Sequence, residues 1–260
     1  MKIGTWNLDY WKRTCNVSGH KEYKTSEEIS KYKEKSLNVF NNMNYDFLLL
    51  QETNMHFYFE KELDTQWPYE FKNTNKKIYH HKFYRLNWGN AIIVGPEYEI
   101  QKNNINRGCF KNYYGKIGQM IYDFKNKNEN LITIINIYNK RKNGNWETYY
   151  TTLENIIDEI EQVIHNKNNQ IILAGDFNGS IQPTDKFPNG DPKYIELFDK
   201  IRKIGFINCT ENIGSTVSYT DYQNDYIFIK NIENKKKTIK HIDEYFINIS
   251  DHYLIDCEIE

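Results

Sequence analysis

Six short polar clusters stand at the ends of apolar runs in this 260-residue chain. Gln51-Glu52 follows Phe47-Leu48-Leu49-Leu50, and Gly175-Asp176-Phe177-Asn178 follows Ile171-Ile172-Leu173-Ala174. Asn7 and Asp9 come after the first short apolar segment, and Tyr138 ends the run that opens at Leu131. Asp225 opens Tyr226 to Ile229, and Ser250-Asp251-His252 precedes the last apolar segment. A strand aims a side chain that the adjoining loop leaves accessible, so these placements predict one site assembled from the whole chain.

The residue types narrow the chemistry. Glu52, Asp9 and Asp251 are hard oxygen donors with no soft sulfur beside them, which suits Mg²⁺, with Mn²⁺ as a possible substitute, rather than zinc. Asp176 and Asn178 lie two apart, on one side of an extended segment, so a base and an amide could take a proton from water and hold the hydroxide. Asp225 could orient His252, which would present an N–H or a positive charge to an anionic centre, and Tyr138 adds a further donor. A cation, an activated water and clustered donors are what phosphate-ester hydrolysis requires, because negative charge builds on the phosphoryl oxygens. Taken singly, an acid after a buried strand is more often a turn former, and only the joint pattern points to a site.

The elements that must position these groups are short β-like runs alternating with helical patterns. Ala91-Ile92-Ile93-Val94, Leu131 to Ile135 and Tyr226 to Ile229 read as buried strands beside the two already quoted. Ile29, Tyr32, Ser36, Leu37 and Phe40 share one helical face, and Ser26-Glu27-Glu28 is a fitting start for it. Leu153, Ile156, Ile157 and Ile160, with Tyr149 and Ile164 at the ends, form a second face, and Tyr194, Leu197, Phe198, Ile201 and Ile204 a third. Asn- and Lys-rich stretches around Lys72 to Lys77, Lys125 to Asn130 and Asn231 to Lys237 read as loops or hairpin tips. None has linker composition and no repeat shows, so residues 1–260 are expected to form one domain.

Composition sets outer bounds. The net charge of -1, with a pI near 6.7, argues against a protein that binds chiefly by non-specific phosphate neutralisation. A mean hydropathy of -0.81 reflects abundant Asn, Lys and Glu, while 21 Tyr and 14 Phe supply the apolar bodies of a core. Cys15, Cys109, Cys209 and Cys257 lie far apart without metal-ligand spacing, which suits free thiols in a reducing compartment. The opening residues lack the apolar core of a signal peptide, and no run nears the ~20 apolar residues of a membrane span. A cytoplasmic location is expected, with no membrane association and no obligate protein partner.

The segments Thr5-Trp6-Asn7-Leu8-Asp9, Leu50-Gln51-Glu52, Gly89-Asn90-Ala91-Ile92-Ile93, Gly175-Asp176-Phe177-Asn178, Asn224-Asp225-Tyr226-Ile227-Phe228 and Ser250-Asp251-His252 occur in that order. Together they resemble the DNase I-like endonuclease/exonuclease/phosphatase superfamily, over nearly the whole chain. The resemblance implies an α/β fold, a four-layer αββα sandwich of two packed mixed β-sheets flanked by helices. It places the principal metal ligand at Glu52, with Asp9, Asn7 and Asp251 as direct or water-mediated partners. It assigns Asp176 as the base or water-orienting carboxylate, Asn178 as its companion, and His252, oriented by Asp225, and Tyr138 as phosphate contacts.

The chain also departs from that pattern. Lys140 stands where a proline usually follows the Tyr138 position, and Tyr222-Gln223-Asn224 replaces the Trp-Arg-Ile or Trp-Arg-Leu of abasic endonucleases, so an abasic-site role is not supported. The Pro-Ala-Trp-x-Asp-Arg-like stretch of inositol polyphosphate 5-phosphatases is missing as well. Lys140 and Arg141, beside Tyr138, and the aromatic Tyr222 are the candidate substrate contacts, although a charge run such as Lys140-Arg141-Lys142 also suits a solvated turn. Segment 80–88 mixes rings with cations, as nucleic-acid surfaces do, but such rings are more often packed on a strand face. His80 and His81 are adjacent and would point oppositely on a strand, which rules them out as a metal pair. The expected activity is divalent-metal-dependent cleavage of DNA or RNA by activated water. The alternative is a phosphatase or phosphodiesterase acting on a small nucleotide or lipid headgroup.

Overall fold

The computed structural model describes residues 1–9, 25–54, 69–70, 75–82, 89–101, 118–139, 147–165, 167–211, 213–219, 221–233, 236–240 and 249–259. Two sheets carry the fold. The first runs β12 (Lys236–Lys240), β13 (Ile255–Ile259), β1 (Lys2–Asn7), β2 (Phe47–Thr53), β5 (Gly89–Val94), β4 (Lys77–Lys82) and β3 (Tyr69–Glu70). The second runs β10 (Ile207–Asn208), β11 (Asp225–Lys230), β9 (Gln170–Asp176), β8 (Leu131–Tyr138), β7 (Gly118–Asn126) and β6 (Tyr98–Ile100). Each sheet is mixed. β1 and β2 are parallel, as are β8 and β9, and the other neighbours are antiparallel.

Both parallel pairs are joined through a helix, as parallel neighbours require. Helix α1 (Ser26–Asn42) links β1 to β2, and α2 (Glu147–Ile164) links β8 to β9. Helix α3 (Pro192–Lys203) follows β9. Ser26 is the first helical residue of α1, and the cap is Thr25, whose side chain accepts from the Glu28 N–H while Glu28 reaches back to the Thr25 N–H. Asp191 caps α3 by accepting the Lys193 N–H, followed by Pro192 in the first turn, where its missing N–H costs nothing.

Alternation along the strands separates three apolar layers. Ile3, Phe47, Leu49, Ile92, Tyr122, Phe124, Ile134, Ile172 and Ile227 face between the sheets. Tyr32, Val39 and Phe40 of α1 pack with Trp6, Leu48, Leu50 and Ile93 on the outer face of the first sheet. Leu153, Ile156, Ile157 and Ile160 of α2 and Leu197, Phe198 and Ile201 of α3 cover the outer face of the second, against Ile135, Leu173 and Phe228. The result is the four-layer αββα sandwich implied by the resemblance.

The five apolar runs are strands and the three periodic faces are helices. The loop readings need trimming at their ends. Lys77 opens β4, Lys125 and Asn126 close β7, and Lys236 and Lys237 belong to β12. Cys209 and Cys257 are buried free thiols, and Cys15 and Cys109 lie outside the described residues. Among the described residues no helix is long and apolar enough to cross a membrane.

Candidate active site

Topology alone gathers the polar clusters. Asn7, Glu52, Tyr138 and Asp176 lie at or near the C-terminal ends of β1, β2, β8 and β9, while Asp225 starts β11, which runs antiparallel to β9. His252 precedes β13, which runs antiparallel to β1. All of these ends fall on one edge of the sandwich. Tyr138 pairs with Asp176 across β8 and β9, and Asp225 pairs with Asp176 across β11 and β9.

Asp176 is the hub. Its Oδ2 accepts from Asn7 Nδ2 at 2.9 Å and Asn178 Nδ2 at 2.9 Å, and its Oδ1 accepts from the Asn178 N–H at 2.8 Å. Only 1 % of Asp176 is exposed. Burial pushes its pKa up to about 7, with Asp225 adding to the rise and His252, Asn7 and the Asn178 N–H opposing it. A carboxyl group so placed exchanges its proton near neutrality, as a general base must. The glycine before it is enforced. Gly175 has φ 145°, and a Cβ there would lie 1.9 Å from the Ile137 carbonyl oxygen of β8.

His252 Nδ1 sits 2.9 Å from Asp225 Oδ2, and its Nε2 is 4.0 Å from Asp251 Oδ1. Burial would lower its pKa, but Asp225, with Asp176 and Asp251 behind it, outweighs burial and raises it to about 10. The ring is therefore an imidazolium at neutral pH, donating to Asp225 through Nδ1. Trp6 Nε1 donates to the His252 carbonyl at 3.1 Å, and Ser250 Oγ donates to the Asn7 carbonyl at 2.5 Å while accepting the His252 N–H at 3.0 Å. Thr216 Oγ1 accepts from the N–H groups of Asn224 and Asp225, at 2.8 and 3.0 Å, which fixes the entry to β11.

Glu52 is aimed by a β-bulge. The β2–β5 register shifts between Leu50 and Thr53, and Glu52 takes φ 49°. Asp9 and Asn178 share this left-handed conformation, at 48° and 47°. Among the described residues, three of the six non-glycine residues with positive φ thus belong to the site, where strain of about 1–3 kcal/mol each is commonly concentrated. Tyr138 donates its hydroxyl to Glu52 Oε1 at 2.5 Å, and burial together with Glu52 holds the phenol well above its ordinary pKa. Its hydrogen thus points at the carboxylate. Asn7 Nδ2 approaches Glu52 Oε1 at 3.5 Å, and Asn7 Oδ1 accepts the Asp9 N–H at 2.9 Å.

The three carboxylates assigned as metal ligands do not form the tightest acidic cluster. Among the described residues the group whose ligand atoms lie within 4.8 Å of one another is Asp176, Asp225 and His252, not Glu52, Asp9 and Asp251. The first set is engaged internally, since His252 is tied to Asp225 and Asp176 takes three donors. Glu52 Oε1 has the Tyr138 hydroxyl and the Asn7 amide beside it, and Asn7 also holds the Asp9 N–H, so the groups around Glu52 include no sulfur. Lys140 and Arg141 lie outside the described residues, and Tyr222, 40 % exposed, lines a cavity that also reaches Asn178.

Several contributors escaped the sequence reading. Gln51, quoted there beside Glu52, instead turns between the sheets and donates to Asn136 Oδ1 at 2.8 Å, while Asn136 Nδ2 donates to the carbonyls of Leu50 (3.0 Å) and Ala91 (2.9 Å). Asn139 donates to the Phe177 carbonyl at 2.8 Å, and its own carbonyl accepts Asn178 Nδ2 at 3.0 Å. Buried amides next to strand ends were the available signal, but amides in Asn-rich sequence do not stand out.

No protein-family model matches the chain, and no curated protein matches it either. Solved structures do. Truncated Caenorhabditis elegans TDP2 superposes with a TM-score of 0.63 at 14% identity, over 98% of this chain and 95% of that one. An AP endonuclease from Archaeoglobus fulgidus gives 0.62 at 16% identity, over 100% and 99%. D. rerio TDP2 complexed with a single strand DNA product gives 0.62 at 13% identity, over 99% and 97%. Likeness at this level of identity speaks for architecture, and the two-sheet αββα sandwich of this chain is the fold of those structures.

Proposed function

We propose that this chain is a divalent-metal-dependent phosphodiester hydrolase that cleaves nucleic acid. The observation that carries the reading is Asp176, buried, held by two amides and a backbone N–H, and carrying a pKa near neutrality beside the His252–Asp225 pair. Asp176 takes the proton from a water aimed at phosphorus, and Asn7 and Asn178 fix its lone pairs so that one direction remains for that water. His252 presents its Nε2–H, and its positive charge, to the phosphoryl oxygens as they gain charge. Glu52, with Asn7 and Asp9 nearby, is the place for Mg²⁺, and Tyr138 holds the Glu52 carboxylate in position. Such a cation supplies Lewis-acid stabilisation of the phosphoryl and leaving oxygens. The fold is shared with an AP endonuclease and with a TDP2 complexed with single strand DNA product, which supports a nucleic-acid substrate.

The test is nicking of supercoiled plasmid and cleavage of labelled single strands in Mg²⁺, with chelator and Asp176→Asn as controls. Cleavage by wild type, abolished by chelator and reduced by orders of magnitude in Asp176→Asn with binding nearly intact, is expected. An active Asp176→Asn enzyme sinks the assignment of the base.

A further inference from the structure

Next to Asp176 lies a cavity of about 490 Å³, inside the ~300–1,000 Å³ range of small-molecule sites. It is lined by the loop after β9, the first turns of α2 and α3, and Tyr219, Tyr222 and Asn224. Its walls are rings, those of Tyr149, Tyr150, Phe187, Tyr194, Tyr219 and Tyr222. Asn178, which holds Asp176, and Asn224, which precedes Asp225, line it too. A group esterified to a phosphate at Asp176 therefore has this cavity as its neighbour.

Most of these walls are set in advance. Tyr194 donates its hydroxyl to the Asn178 carbonyl at 2.7 Å and packs on Tyr150 with ring centroids 4.8 Å apart. The bare backbone of Gly179 makes room for Tyr194, since a Cβ there would fall 1.9 Å from its ring. Residues 216–218, just before Tyr219, are tied to the His252 segment. Val217 bridges His252, Ser218 N donates to the Asp251 carbonyl at 2.8 Å, and Tyr253 N donates to the Thr216 carbonyl at 2.8 Å. Tyr219 and Tyr222, which follow, are exposed at 63 % and 40 %.

The chemistry of the lining selects among occupants. Aromatic faces attract both flat π systems and quaternary ammonium groups. Here, however, Lys186 already lies 5.0 Å from the Phe187 ring centre and Lys193 4.7 Å from that of Tyr150. Asp191, which accepts the Tyr150 hydroxyl at 2.6 Å and the Lys193 N–H at 3.0 Å, is one carboxylate against these two ammonium groups. A cationic headgroup is repelled from such a wall, and a polyhydroxylated ring finds mainly phenyl faces. A nucleobase stacks on the rings while its phosphates meet the lysines.

We propose that this cavity receives the base of the nucleotide adjoining the scissile phosphate. A base inside a duplex is stacked and paired and cannot enter, so the substrate is single-stranded or locally unpaired nucleic acid that retains its base there. This rests on the phosphodiester-hydrolase reading of the Asp176 site and specifies its substrate.

The experiment compares end-labelled oligonucleotides of one sequence in three forms, single-stranded, fully paired, and single-stranded with one base-free nucleotide placed at each position in turn. Wild type is expected to cut the single strand faster than the duplex. A base-free nucleotide at one fixed offset from a cut is expected to suppress that cut by about tenfold to a hundredfold, the worth of one stacked base. Tyr222→Ala and Phe187→Ala are expected to erase the difference between normal and base-free strands. Equal cutting of duplex and single strand, tolerance of a base-free nucleotide at every offset, or full discrimination in both variants overturns the proposal. Failure of folded wild type with Mg²⁺ to cut any nucleic acid overturns the nuclease reading and this proposal with it, a result distinct from the other three.

Discussion

Replacing Asn136 with leucine tests how the two sheets are locked together behind the site. Asn136 is fully buried on β8, yet its amide bonds all reach the opposite sheet, to the carbonyls of Leu50 and Ala91 and to the side chain of Gln51. Leucine keeps the volume and removes all three bonds. Gln51 retains Thr5 Oγ1 at 3.0 Å and the Leu49 carbonyl at 3.3 Å, so its own amide is not stranded. The loss falls on two carbonyls that face a dry layer, at about 1–3 kcal/mol each, offset by about 1 kcal/mol of added apolar burial. The net expectation is a destabilisation of about 1–5 kcal/mol. In a domain of this size each kcal/mol moves the melting temperature by about 2–4 °C, so the melt should fall by roughly 2–20 °C. Circular dichroism melts and urea midpoints of Asn136→Leu measure it. A melt within about 2 °C of wild type would refute the claim that this amide holds the sheets together.

Two further outcomes follow from the buried charges. In chelating buffer, Asp176 binds its proton more tightly folded (pKa about 7) than unfolded (3.8), so stability should fall as pH rises from about 4 to 7. His252, raised from 6.5 to about 10, contributes stability that is fully present below pH 6.5 and lost as pH rises through 10. Urea midpoints across pH 4–10 should decline through both windows, with Asp176→Asn flattening the first, and a flat wild-type profile would contradict both assignments. Far from the site, Lys167 Nζ lies 2.6 Å from each oxygen of Asp123, with side chains only 15 % and 11 % exposed. Lys167→Met should cost about 3 kcal/mol by leaving Asp123 half-paired, and adding Asp123→Leu should restore most of it, so a harmless single substitution would show the pair to be idle.

The sequence announced the apolar runs because burial on both faces writes strands such as Ile171 to Ala174 as unbroken hydrophobic stretches. It announced the site because side chains at strand ends fall on one edge once β1–β2 and β8–β9 are parallel. Distances were beyond its reach. Spacing could not tell that Tyr138 points at Glu52, or that Asp176, Asp225 and His252 crowd more closely than Glu52, Asp9 and Asp251. The aromatic cavity was illegible for a different reason. Tyr149 and Tyr194 satisfy helical periodicity and so read as core, Tyr219 sits in a non-periodic stretch where an aromatic carries no pattern, and Tyr222 alone of these four was named as a substrate contact.

Three of the bonds that shape the site cross from one sheet to the other. Asn7 of the first sheet donates to Asp176 of the second, and Tyr138 of the second donates to Glu52 of the first. His252, leading into β13 of the first sheet, pairs with Asp225 of the second. Burying Asp176, Asp225 and His252 at 1 %, 0 % and 6 % exposure would be untenable for isolated charges. It is tolerable here because each sheet supplies the donors that the other sheet's carboxylates lack. The apolar layer between the sheets and the polar edge are therefore one construction. The hydrophobic contact of Phe47, Ile134 and Ile172 brings the strand ends into register, and only in that register do the amides of Asn7 and Asn178 converge on one carboxylate. A site divided in this way does not exist in either half alone. Its geometry depends on how the two sheets dock, to within the few tenths of an ångström that separate a hydrogen bond from a near miss.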